Sequence, residues 1–124
     1  MPTKRKKRGA SRGAALAREV RIVLSTAPER VARALALSLV TNGSATCVNV
    51  LPGVRSVYRW KGRVEAGRES LLVIKTPRRD VEGLLLALKR QHPYEVPEAV
   101  VLRPIGGLED YLRWVADPRC GGRT

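Results

Sequence analysis

The fold of this chain is decided by the stretch Cys47–Gly62, CVNVLPGVRSVYRWKG. Its β-branched and aromatic residues predict a long strand. Pro52–Gly53 interrupts that strand, and because proline cannot donate to a strand ladder, we expect a bulge there. Lys61–Gly62 predicts a hairpin turn, and residues 69–75 return as the next strand. The stretch therefore predicts an extended antiparallel hairpin at the centre of the chain.

The segment before the hairpin predicts a strand and a helix. Residues 20–24 are β-branched and indicate the first strand. A helix begins at Pro28, where the missing N–H is tolerated, and Asn42–Gly43 ends it in a left-handed cap. After the hairpin, Thr76–Pro77 predicts the N-cap and first turn of a second helix, and Pro93 ends that helix.

The end of the chain completes a recognisable order of elements. Residues 99–103 predict a fourth strand, and Gly106–Gly107 leads into a short C-terminal helix. The order is β-α-β-β-α-β with right-handed crossovers. The predicted fold class is therefore α+β, with a ferredoxin-like four-stranded antiparallel sheet and two helices on one face.

The predicted hairpin carries apolar or aromatic side chains on both of its faces. They are Val54, Val57, Tyr58, Trp60, Leu71, Leu72 and Val73. One layer of helices covers only one face of a sheet. The other face and the strand edges must then be covered by other subunits, which predicts an oligomer.

Positive charge is concentrated near the start of this basic chain. The formal net charge is +13, and residues 1–20 hold seven lysines and arginines against one glutamate. Residues 1–18 show no apolar periodicity, so we expect a disordered basic N-terminal arm. Such an arm is most often a solvated tail, but it would also attract nucleic acid non-specifically through counterion release.

The composition of the chain bears on the cellular compartment of the protein and on whether it is an enzyme. No apolar run reaches the roughly 20 residues that a membrane span requires. Two cysteines are too few for a secreted disulfide scaffold, so we expect a cytoplasmic protein without a Cys47–Cys120 pair. His92 is the single histidine, and no phosphate-binding glycine loop is present. Nothing here forms a nucleophile–base constellation, so we expect no enzymatic activity.

Several motifs in order along the chain resemble the CutA family, the divalent-cation tolerance proteins. The motifs are Cys47–Gly62, Glu65, Glu69, residues 71–76, His92–Glu98 (HPYEVPE) and residues 110–114 (DYLRW). The resemblance covers roughly residues 20 to 116. It implies the ferredoxin-like fold and a homotrimer similar to the PII signalling proteins. The domain would span residues 19–116, between the arm at 1–18 and a tail at 117–124.

The resemblance also implies a link to divalent metals such as copper. The copper ligands proposed in CutA proteins are a thiol after the first strand and a His-His pair before Pro-Tyr. Ser25 and Gln91 stand at those positions here, so His92 is the remaining candidate ligand. Alternatively, His92 caps the second helix and orders the loop that follows. Cys47 is a weaker metal candidate, because a thiol in an apolar strand is more often a core residue.

A second group of residues is expected to line clefts between subunits. It consists of Trp60, Lys61, Arg63, Glu65, Lys75, Tyr94 and Glu95. Charged residues beside an aromatic on a covered hairpin suit a ligand cleft that holds a metal ion or a small anionic ligand. Alternatively, Glu65 and Glu95 pair with Arg63 and Lys75 and simply fix the register of the interface.

Taken together, the sequence predicts a non-enzymatic, trimeric binding or signalling module linked to divalent-metal tolerance. The alternative is a trimeric scaffold whose basic arms tether it to nucleic acid or another polyanion.

Overall fold

The structure, a computed structural model, describes residues 12–119. It contains four helices, four strands and one 3-10 turn within that range. They are α1 (residues 12–17), β1 (Val20–Ala27), α2 (Glu29–Thr41), β2 (Cys47–Trp60), β3 (Arg63–Pro77), the 3-10 turn (Arg78–Asp80), α3 (Val81–Gln91), β4 (Val100–Leu102) and α4 (Glu109–Ala116). None of the helices in this range has the length and apolar character needed to cross a lipid bilayer.

The four strands form one sheet in the order β2-β3-β1-β4, and every neighbouring pair is antiparallel. This order confirms the predicted ferredoxin-like fold. β1 runs three residues beyond the predicted strand, because Ser25, Thr26 and Ala27 continue the ladder against β3. β2 and β4 are therefore the two edges of the sheet.

One face of the sheet holds the main hydrophobic core. Val23 lies opposite Ile74, and both are fully buried beneath Leu39 of α2 and Leu84 of α3. Successive residues of a strand point to opposite faces, so the neighbours of these strand residues project to the other side. Those neighbours stay only half-buried within the single chain: Ile22, Leu24, Leu71 and Val73. We call this second side the open face.

The β2–β3 hairpin has the predicted bulge and turn. The ladder shifts register between Leu51 and Val54, and Gly53 takes a φ of +74° that favours glycine. Lys61 and Gly62 both have positive φ, at 49° and 78°, as in the hairpin turns whose twist matches that of the strands. From residue 57 to 68 every side chain is exposed, so this half of the hairpin projects away from the core.

The predicted start of the second helix is wrong by several residues. β3 continues through Pro77, and the Thr76 hydroxyl donates to the Ser44 carbonyl at 2.8 Å instead of capping a helix. A 3-10 turn follows, and α3 begins at Val81. The Thr-Pro pair resembles a helix start, but pairing with β1 extends the strand across it.

The prediction of a disordered arm over residues 1–18 is wrong for residues 12–17, which form α1. Ala17 is fully buried in a second cluster with Val20, Leu112 and Val115, so α1 is docked against α4. The buried Arg21 side chain donates to the carbonyls of residues 18 and 20 and ties the end of α1 to β1. Its pKa is lowered by burial and by the nearby charges of Arg103 and Arg78. The predictions for residues 1–11, for Cys120 and for the tail beyond residue 119 lie outside the described residues.

We expect Ala17→Asp to lower the free energy of unfolding by about 1–3 kcal/mol, because it places a carboxylate in an apolar cluster. Ala15→Asp is the matched control, since Ala15 is exposed on the same helix and should change stability by less than about 0.5 kcal/mol. Urea unfolding of both variants measures the difference. Equal effects at the two positions would contradict the docking of α1.

Candidate functional site

A groove of about 450 Å³ lies where the hairpin passes over the loop between α3 and β4. Three of the predicted cleft residues, Trp60, Tyr94 and Glu95, line it together. The other lining residues are Thr26, Tyr58, Glu69, Pro93, Val96 and Glu98. The groove therefore combines three aromatic rings with three carboxylates, on a chain of formal net charge +13.

Glu69 and Tyr94 form the polar centre of the groove. The Tyr94 hydroxyl donates to Glu69 Oε2 at 2.8 Å, and Glu69 is only 8% exposed. Burial by itself raises the pKa of Glu69, but hydrogen bonds from Ser56, Tyr94 and Thr26 outweigh burial and leave this pKa below its ordinary value. Burial, followed by the hydrogen bond to Glu69, raises the pKa of Tyr94 to about 12. At neutral pH the pair is therefore a carboxylate held by a neutral phenol.

His92 lies beneath the groove and orders its loop. Its backbone N–H donates to Leu88 and closes α3. Because a carbonyl can only accept, the ring Nε2 donates to the Thr26 carbonyl at 2.7 Å, and Nδ1 accepts from the Tyr94 N–H at 3.1 Å. The ring is 7% exposed and lies 4.7 Å from the Tyr94 ring. With both nitrogens engaged, His92 has no free lone pair for a metal.

Ser25 holds the C-terminal end of the same loop. Its fully buried hydroxyl donates to the Glu98 carbonyl at 2.8 Å. Ser25 and His92 thus hold the segment 92–98 at both of its ends against β1. The groove is built on fixed loop positions, which suits a binding site.

The remaining predicted residues do not line the groove. Lys75 lies at the other end of β3, where its Nζ contacts Asn49 Oδ1 and lies 3.9 Å from Cys47 Sγ on the open face. Cys47 is half-buried, so it is not the fully enclosed core thiol that the sequence suggested.

The other three predicted residues lie at the hairpin tip. Lys61 Nζ lies 5.9 Å from the Trp60 ring centroid, and in the ladder Arg63 faces Trp60 while Glu65 faces Tyr58. Neither Glu65 nor Glu95 forms an ion pair with another residue of the described range 12–119. Pairing of these carboxylates across an interface stays a prediction.

Sequence reasoning missed Tyr58, Glu69 and Glu98 as groove residues. Tyr58 shares a strand face with Trp60, two residues away, so the alternation of side chains would have pointed to it. Glu69 lies within β3, just before the apolar run of residues 71–74, where a carboxylate that becomes buried needs hydrogen-bond donors. No local pattern indicated that Glu98 would turn towards the hairpin.

The chain folds as a small α+β domain with a groove beside its long hairpin, and its structural neighbours include a PII-like protein. The CutA1 structure of Thermus thermophilus aligns with a TM-score of 0.74 at 43% identity and covers 77% of this chain and 94% of that one. The "PII-like protein CutA" of Nostoc, solved in apo form, aligns with a TM-score of 0.74 at 34% identity and covers 77% and 92%.

The sequence comparisons establish the family. The profile of the family described as "CutA1 divalent ion tolerance protein" matches residues 21–118. The divalent-cation tolerance protein CutA of Pectobacterium atrosepticum is 44% identical over 95 residues, which cover 76% of this chain and 86% of that protein. The chain therefore belongs to the CutA1 divalent ion tolerance protein family, as the resemblance of its motifs predicted. The family name refers to cation tolerance and indicates no catalytic activity.

The copper ligand set implied by the resemblance does not fit the described residues. The Ser25 hydroxyl and both nitrogens of His92 are engaged within the chain. Across residues 12–119 there is no group of three or more His, Cys, Asp and Glu side chains arranged to hold a metal ion. Transition metals need three or four such donors, so this part of one chain offers no resident copper site.

Tyr94→Phe tests the centre of the groove. Removing a hydrogen bond to a carboxylate should destabilise the protein at pH 7 by about 1 kcal/mol at this partly exposed position. The depressed pKa of Glu69 contributes stability that is present above the unfolded pKa of about 4.3 and is lost as the pH falls through the folded pKa. The variant lacks part of this contribution, so its difference from wild type should shrink on acidification.

Urea unfolding at pH 7 and at pH 3 measures that difference. Tyr58→Phe is the matched control, because Tyr58 lines the same groove but its hydroxyl has no hydrogen bond within the described residues. A Tyr94→Phe effect that is identical at both pH values would show that the carboxylate is not the partner that matters.

Proposed function

We propose that this chain is a non-enzymatic binding module of a homotrimer, and that it binds small cationic ligands, divalent cations among them, in the groove. The observation that carries the proposal is the convergence of Tyr58, Trp60 and Tyr94 with carboxylates on a strongly basic chain. Aromatic faces and carboxylates both attract cations. A small anion, which the sequence left open as a ligand, would instead meet Glu69, Glu95 and Glu98.

The carboxylates favour reversible cation binding over a permanent metal centre. Glu69 is buried and already accepts hydrogen bonds, whereas Glu95 and Glu98 are exposed at the mouth of the groove. Exposed carboxylates keep most of their hydration and give weak, screened attraction. Weak, reversible binding suits a protein that responds to changes in cation concentration.

The homotrimer is supported by apolar surface that one chain leaves uncovered. The hairpin exposes Val57 at 67% and Val64 at 70%, and all of β4 is exposed at an edge of the sheet. Together with the open face, these residues leave apolar side chains and an unpaired strand edge in water, which other subunits would cover. Trp60 lines the groove and belongs to this hairpin, so a covering subunit would also complete the groove.

A non-enzymatic role is supported by the state of the one histidine. Both His92 ring nitrogens are engaged, so the ring is not available as a general base. A cytoplasmic location is part of the proposal, since two cysteines are fewer than a secreted disulfide scaffold would carry. Tethering to nucleic acid through the basic arm stays a prediction, and the docking of residues 12–17 shortens that arm.

The assembly proposal predicts that Trp60→Asp and Val57→Asp each dissociate a trimer, because both put a carboxylate into a covered hairpin. Light scattering of the purified full chain should give three times the chain mass for wild type. Leu86→Asp is the control, because Leu86 is similarly exposed, at 61%, but lies on the helical layer. A monomeric wild type, or dissociation by Leu86→Asp alone, would contradict the proposed interface.

The ligand proposal predicts that divalent cations raise the melting temperature at constant ionic strength, because binding to the native state stabilises it. The double variant Glu95→Gln/Glu98→Gln should lose most of this rise. Glu82→Gln, an exposed carboxylate on α3, should keep it. Retention of the full rise in the double variant would place cation binding elsewhere.

A further inference from the structure

A second pocket lies on the hairpin, beside the bulge. It has a volume of about 430 Å³ and is lined by Gly53, Arg55, Ala66, Gly67 and Arg68. None of these residues lines the groove beside Tyr94. The ladder shifts register between Leu51 and Val54 here, and the Gly53 N–H donates to the side chain of Glu29.

The chain already places one carboxylate oxygen at this pocket. Glu29, in the first turn of α2, accepts a hydrogen bond from the Gly53 N–H at 2.5 Å and another from Arg68 Nε at 3.3 Å, both to the same oxygen Oε1. A backbone N–H and a guanidinium that converge on one oxygen are the donors that bind oxyanions. The intramolecular contact therefore shows that this corner accepts an anionic oxygen.

The two arginines at the pocket carry more positive charge than the single carboxylate of Glu29 neutralises. Arg55 and Arg68 lie directly opposite each other in the ladder, and like charges in that position destabilise a sheet. Arg68 pairs with Glu29, whereas Arg55 has no ion-pair partner within residues 12–119. One guanidinium at the pocket is thus uncompensated.

Space for an anion is also present. The small side chain of Ala66 shares the strand face of the two arginines, because Ala66 is two residues from Arg68, and it leaves the pocket volume beside them unfilled. Two guanidiniums and one backbone N–H around this space suit a tetrahedral dianion better than a single carboxylate.

We propose that the bulge pocket binds a phosphate group, either free or carried by a small phosphorylated molecule. The phosphate would displace the Glu29 carboxylate from Gly53 and Arg68 and would also engage Arg55. Glu29 then acts as a built-in competitor that keeps the affinity modest. The pocket residues are separate from those of the groove, so variants of one site can be tested without altering the other. Ala66, Gly67 and Arg68 lie on the hairpin half that the proposed trimer covers, so the proposal requires that this pocket faces solvent in the assembly.

Calorimetric titration of the full chain with inorganic phosphate, at constant ionic strength in chloride, tests the proposal. Arg55→Gln should weaken binding about tenfold, which corresponds to about 1.4 kcal/mol. Glu29→Gln should strengthen binding, because a neutral amide oxygen competes less well than a carboxylate for the Gly53 N–H and Arg68. Ala66→Leu should weaken binding by filling the space without changing any charge.

Arg59→Gln is the matched charge control, because Arg59 is an exposed arginine of the same hairpin that does not line the pocket. It should change the affinity by less than about twofold, as expected of a screened distant charge. Equal losses in Arg55→Gln and Arg59→Gln would show non-specific attraction and overturn the proposal. So would the absence of saturable phosphate binding in Glu29→Gln, provided that circular dichroism shows this variant folded.

Phenyl phosphate distinguishes the two sources of the group. Tighter binding of phenyl phosphate than of inorganic phosphate, with the same dependence on Arg55, assigns the pocket to a phosphorylated organic molecule. Tighter binding of inorganic phosphate assigns it to the free ion. Binding of either ligand that does not depend on Arg55 would contradict the proposal.

Discussion

The structure depends on the pairing of β2 with β3. The hairpin that these two strands form extends beyond the layer of helices α2 and α3. Only the part of this hairpin near Val48 and Val50 packs against the core of α2 and α3. The remaining half stays exposed, from residue 57 to 68. A hairpin with no core beneath it is only marginally stable by itself. Coverage of the exposed half by other copies of the chain, as proposed above, would stabilise it. Both candidate sites lie along the same hairpin.

The two candidate sites carry opposite charges. The groove gathers carboxylates and aromatic rings over the loop that Ser25 and His92 hold, whereas the bulge pocket gathers Arg55 and Arg68. Opposite charges at the two candidate sites would allow one protein to attract ligands of both signs. His92, the residue that looked most like a metal ligand, instead provides the hydrogen bonds that shape the groove.

The sequence predicted the fold well, because periodicity, turn residues and the Pro-Gly interruption are local signals. The turn at Lys61–Gly62 and the open face both follow from such signals. Thr76 was misplaced, since the pairing of β3 with β1 overrides the local preference for a helix cap. The docking of Ala17 and the convergence of Glu98 with Tyr58 depend on contacts between distant segments, which no local pattern encodes.

The most direct measurement of the central claim is the reaction rate of the Cys47 thiol, in a Cys120→Ser variant, with a soluble thiol reagent at different protein concentrations. Cys47 lies half-buried on the open face, level with Ile22 and Lys75. If other copies cover this face, the thiol should react slowly in the assembled protein and much faster after dilution or after Trp60→Asp. A reaction rate that stays fast at every protein concentration, and is the same with and without Trp60→Asp, would contradict the claim that the open face is an interface.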